Sequence, residues 1–115
     1  MGMDLVRRRD SRKWSCNNAL WIFIIDSAKS AGWVPLGTKN RLKETNDHDP
    51  QDYFSNNDQI VSPDDAEEMY IHLKKYAEEN KPKEIEKEII DSFLEWIPRR
   101  NEDNVIVDFP GFIIR

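Results

Sequence analysis

A chain of 115 residues, 38% hydrophobic and 34% charged with a net charge of −5, has the length of one domain and enough apolar material to bury a core without covalent staples. Its single cysteine excludes an internal disulfide, and one Cys with two His cannot supply the repeated ligand spacing of a structural zinc site, so a reducing cytoplasm is the expected home. A sequence pI near 5.0 argues against a dedicated nucleic-acid-binding domain, whose footprint is basic.

Charge is nevertheless uneven. Arg7, Arg8, Arg9, Arg12 and Lys13 face only Asp4 and Asp10 within residues 1–13, a basic start on an acidic body. Those residues show no clear apolar period, so a frayed or lightly docked arm is expected, with Leu5 and Val6 as its anchors. The globular part is then residues 14–115. Its centre is the stretch 17–31, NNALWIFIIDSAKSA. At 100° per residue Leu20, Trp21, Phe23, Ile24, Ile25, Ala28 and Ala31 cover roughly two-thirds of a helix circumference, which predicts a helix covered on several sides. Ser15 or Asn17 can cap its start, and Gly32 can end it in the left-handed region. The uninterrupted apolar run, Ala19 to Ile25, is followed at once by Asp26 and Lys29. That disfavours a signal peptide and falls far short of the ~20 residues that span a bilayer. Val6 stands where a myristoylation signal needs Ser or Thr.

Residues 32–38, GWVPLGT, read as an ordered turn, with Trp33 and Leu36 available to pack. A polar stretch, 39–58, has only Leu42, Tyr53 and Phe54 as large apolar anchors; connections of this length are commonly functional or disordered. Gln59, Ile60 and Val61 form a short predicted strand. Ser62, Pro63, Asp64 and Asp65 then supply a cap, a first-turn proline and carboxylates for the positive end of a helix over 63–79. A third helix is expected over 83–97, opened by Pro82 and stopped by Pro98, with Ile85, Ile89, Ile90, Phe93, Leu94, Trp96 and Ile97 on its apolar face. Val105, Val107 and Phe109 alternate as in a strand, and residues 111–114 are expected to pair with 59–61, since a lone strand leaves its backbone groups unpaired. The fold class that follows is α+β: three helices around the first, and a minimal two-stranded sheet.

The placement of Gly32, Trp33, Pro35, Gly37 and Thr38, then Tyr53, Asn56, Gln59, Val61, Asp65 and Ala66, and finally Phe109, Gly111, Phe112 and Ile114 resembles a loose group of small microbial proteins. These carry GWxPxGT, a YxxNxGQxV segment leading into a DA helix, and a terminal GFxI. Asp58 departs from the pattern, standing where the group often has Gly. The resemblance implies an architecture and carries no activity with it.

Several residues could bear chemistry. Asp47, His48, Asp49 and Asp52 offer metal ligands, but they lack the central Gly and the twelfth-position Glu of a calcium loop, so no metal site is expected. Cys16 with His48 or His72 could form a nucleophile and base, yet a free Cys at the start of a buried helix is usually a small hydrophobe. No phosphate loop, dinucleotide fingerprint or serine-hydrolase elbow occurs, and no cofactor is expected. On the third helix Glu84, Glu88, Asp91 and Glu95 form a carboxylate stripe. The sequence therefore favours a non-catalytic binding module for a basic protein partner, with Trp33, Tyr53, Asn57, Gln59 and the four acids as contact candidates. The alternatives are nucleic-acid association through Arg7, Arg8, Arg9 and Arg12, and a small enzyme using Cys16 or His48.

Overall fold

The computed structural model of the chain describes residues 2–35, Tyr53 and residues 59–115. Nine elements follow one another within these residues: β1 (Gly2–Arg7), β2 (Lys13–Asn17), α1 (Asn18–Ser30), β3 (Gln59–Val61), α2 (Pro63–Asn80), α3 (Glu84–Trp96), β4 (Arg99–Arg100), β5 (Ile106–Asp108) and β6 (Phe112–Ile114). The α+β class and the three helices agree with the sequence.

Local hydrogen bonds place the helix ends. The Asn17 side chain accepts from the Leu20 amide at 2.8 Å, and the Ser62 hydroxyl accepts from the Asp65 amide at 3.2 Å, each meeting a backbone donor that the first helical turn leaves free. At the far end of α1 the Trp33 amide reaches Ala28 O and the Gly32 amide reaches Lys29 O, both at 3.0 Å. This is a Schellman closure with Gly32, at φ 118°, in the position that disfavours a Cβ. Lys83, not Pro82, precedes α3, its amide held by the Glu86 carboxylate at 3.1 Å.

The sheet is larger than expected. Strands run in the order β2-β1-β6-β3, every neighbouring pair antiparallel. The expected pairing is present, with Gln59 opposite Ile114 and Val61 opposite Phe112, but β6 is not an edge: Leu5 of β1 also lies opposite Ile114, and Arg7 opposite Phe112. The expectation of a frayed basic arm is thereby corrected. Residues 2–7 form an interior strand, because Met3 and Leu5 alternate on the face that packs inward and are buried. Arg7 shares that face and masks the period-two pattern in the sequence. The strand expected around Val105 to Phe109 is present as β5 and pairs with β4 in a second sheet, with a register irregularity between Arg99 and Arg100.

Phe112 gathers the core. Its ring packs edge-on to Trp21, Phe93 and Trp96 at centroid distances of 6.2, 6.1 and 5.5 Å, joining β6 to α1 and α3. Gly111 lets β6 enter: at φ +80°, a Cβ there would stand 2.5 Å from Val61 O. Coverage of α1 is narrower than its composition suggested. Trp21, Ile24, Ile25 and Ala28 are buried, whereas Phe23 is half-buried and Ile22 is exposed. Ile85, expected on the apolar face of α3, is exposed, as are Val105 and Val107. Among the described residues no helix is long and apolar enough to cross a membrane.

Because β1 is interior, Leu5→Ala should lower unfolding stability in urea by about 2–5 kcal/mol, the range for emptying a buried leucine site. A frayed arm would leave the midpoint unmoved.

Candidate functional site

On α3 the inner side buries Ile90, Phe93 and Trp96, and that packing turns Glu84, Glu88, Asp91 and Glu95 outward. At 100° per residue the four lie within an arc of about 60°, in a stripe about 16 Å long. All four are exposed, and no ion pair engages any of them among the described residues. Ile85 lies beside the stripe, 70% exposed.

The aromatic and amide candidates are elsewhere. Trp33, Tyr53 and Gln59 are buried and face the interior, not a partner. The Trp33 indole N–H donates to Asp65 Oδ1 at 2.8 Å, the Tyr53 hydroxyl donates to Asp65 Oδ2, and the two rings stack at 6.1 Å with 12° between their planes. Trp21 Nε1 in turn donates to Tyr53 O at 2.8 Å. Asp65 is 1% exposed in the first turn of α2, where backbone N–H groups and the helix dipole favour a carboxylate. Its acidic type and position signalled a helix start; nothing in its spacing signalled two aromatic donors from earlier in the chain. Asn57 lies outside the described residues, as do Asp47, His48, Asp49 and Asp52.

The basic residues near the start divide sharply. Arg7 is 5% exposed: Nη1 donates to Trp96 O and Pro98 O, both at 2.7 Å, while Nε and Nη2 form a fork on the Asp10 carboxylate. It thus satisfies carbonyls at the end of α3, where a cation is favoured. Arg9 donates to Asp108 Oδ2 at 3.0 Å, and Arg99 holds the same carboxylate through Nε and Nη2 at 2.8 and 2.9 Å. Arg8 and Arg12 are exposed. Of the four arginines offered for nucleic acid, then, Arg7 is an internal tie and Arg9 is engaged. The hydrogen bond from Arg7 holds the Asp10 carboxyl below its ordinary pKa of 3.8, and Arg99 does the same to Asp108.

Cys16 is in β2 opposite Met3, not in a helix as expected. Burial pushes its thiol up to about 11, which keeps it protonated and weakly nucleophilic at neutral pH. His72 Nδ1 lies 2.8 Å from Glu68 O, and no hydrogen bond joins it to Cys16 among the described residues.

A polar cleft of about 380 Å³ opens beside the end of α3, between the β1-β2 turn and the β4-β5 hairpin; Arg12, Glu95, Arg100 and Asn101 are among the residues lining it. The alternation from Val105 to Phe109 makes the β5 arm of the hairpin legible in the sequence, whereas Arg99 and Arg100 of β4 carry no motif.

No protein-family model, curated protein or solved structure matches this chain.

Tyr53→Phe should lower stability by about 1–3 kcal/mol, since Asp65 Oδ2 loses a buried donor; chemical denaturation of both proteins checks this. Asp10 yields a pH test. Its folded-state pKa is depressed, so its contribution is present above the unfolded value and lost as pH falls through the folded one. The stability gap between wild type and Asp10→Asn should therefore be constant at neutral pH and close below about pH 3.8, as followed by urea melts from pH 7 to pH 2.

Proposed function

We propose that this protein is a non-catalytic interaction module that docks a basic protein partner on the outer face of α3. One observation carries the reading: Glu84, Glu88, Asp91 and Glu95 are all exposed on a single stripe, with no cation among the described residues engaged on them. Glu84, in the first turn of α3, suits the helix dipole, but the spacing of the four acids opposes the fold. Glu84 with Glu88, and Asp91 with Glu95, are like charges four residues apart, which oppose helix formation by a few tenths of a kcal/mol each. A concentrated negative field steers a positive partner to the surface and selects it by charge. Ile85 beside the stripe offers an apolar contact of the kind found within charged rims.

The enzyme and nucleic-acid alternatives have less support. The Cys16 thiol is held protonated, and Arg7, the most deeply placed of the terminal arginines, is occupied by Asp10 and the end of α3.

The test compares affinity capture from native lysate by the wild type and by a variant with Glu84, Glu88, Asp91 and Glu95 all changed to Gln. Basic proteins should be retained by the wild type, released as salt is raised, and lost from the variant, whose own stability should be equal or slightly greater. If every captured protein binds the two forms alike, the reading fails.

A further inference from the structure

We propose that the cleft between the β1-β2 turn and the β4-β5 hairpin binds a small phosphate-bearing anion, held by Arg100 and Arg12. A volume of about 380 Å³ is on the scale of small-ligand sites. The case rests on an accounting of the donors and acceptors around it.

Two of the cleft's arginines are already engaged. Arg7 forks onto Asp10 and donates to two carbonyls, and Arg99 forks onto Asp108, a carboxylate that Arg9 shares. Arg100 differs. Its Nη1 donates to Asn104 O at 3.2 Å, and its Nε is buried with no hydrogen-bond partner. A buried donor left unmet is costly, but this Nε is closed off from the open cleft, so what Arg100 offers a ligand is the rest of its guanidinium. Arg12 is open too: its side chain is 75% exposed, and its Nε stands 4.0 Å from Asp10 Oδ2, at the outer limit of an ion pair. Asn101 adds a third donor, because its side-chain oxygen is occupied by the amides of Asp103 and Val105, both at 3.0 Å, leaving the NH₂ group to face other partners.

Against these stands the exposed Glu95 carboxylate on the cleft's rim, which has no ion-pair partner among the described residues. With Arg7 balanced by Asp10 and Arg99 by Asp108, two guanidinium groups oppose that single carboxylate. The cleft therefore presents more donors than acceptors and a net positive charge. Planar guanidinium forks match oxyanions. A phosphate, with three terminal oxygens, can accept from both forks and the amide at once, where a carboxylate has only two oxygens. The two turns that flank the cleft hold non-glycine residues at positive φ: Arg9 and Ser11, beside the lining residue Asp10, at 78° and 57°, and Asn104, which lines the cleft, at 61°.

Thermal unfolding and calorimetric titration with inorganic phosphate and with phenyl phosphate, at ionic strength held constant with chloride, test the proposal. Both phosphates should raise the melting temperature by binding the native state, and chloride alone should not. Arg12→Gln removes an exposed side chain with no part in the core, and Arg100→Lys keeps the charge but replaces the planar guanidinium fork with a point charge. Each should weaken phosphate binding about tenfold with an unchanged circular dichroism spectrum, whereas Glu95→Gln should tighten it. Absence of any phosphate-dependent shift overturns the proposal, as does wild-type affinity in both arginine variants. Binding of a single-stranded oligonucleotide without binding of either small phosphate overturns it equally, by making the cleft part of a nucleic-acid surface.

Discussion

A carboxylate removed from water must be met by donors that stay in place, and the Asp65 carboxylate imposes that requirement on three separate segments. The indole of Trp33 after α1 and the hydroxyl of Tyr53 both converge on it, while the first turn of α2 supplies its backbone field. Trp21 of α1 then holds the Tyr53 carbonyl. Four points of the chain are thereby fixed relative to one another at one side of the core. Fully satisfied polar networks of this kind specify a unique arrangement, because any alternative packing leaves a buried charge unmet.

The other side of the molecule is organised by α3. Its inner residues, Phe93 and Trp96, join the aromatic cluster around Phe112. Its end is closed by Arg7 from β1, and Trp14 of β2 reaches Ser92 on its flank at 3.0 Å. A helix anchored on so many sides is a rigid support for whatever its outer face carries. That face runs from a carboxylate stripe to an arginine-lined cleft at the helix end, and Glu95 belongs to both. The proposed protein contact and the proposed anion site are thus adjacent but chemically opposite, one short of cations and the other short of acceptors.

Several motif residues among those described have structural roles. Gly32 closes α1, Trp33 and Tyr53 meet at Asp65, Ala66 is buried beside it, and Gly111 permits a backbone approach that a Cβ would block. Trp33, Tyr53 and Gln59 were legible as special residues, but their chemistry suits a buried hydrogen-bonded network as well as a contact surface, and residue type alone does not separate the two. The arginines at the start of the chain posed the same ambiguity. A guanidinium on an inward strand face and one in solvent read identically in one dimension, and only the helix end that Arg7 caps distinguishes them.

What the sequence determined by itself was whatever depends on neighbours a few residues apart. The caps at Asn17 and Ser62, the glycine stop at residue 32 and the outward carboxylates of α3 all follow from hydrogen bonds or periodicity within a turn or two of helix. The pairing of 59–61 with 111–114 was also legible, from the demand that short strands find partners. The tertiary structure alone decided that residues 2–7 lie inside the sheet, that Asp65 receives two aromatic donors and that Arg9 meets Asp108 across 99 positions of sequence. Such contacts depend on how distant segments fill a common volume and neutralise each other's charge, and the pattern along any one segment does not contain that information.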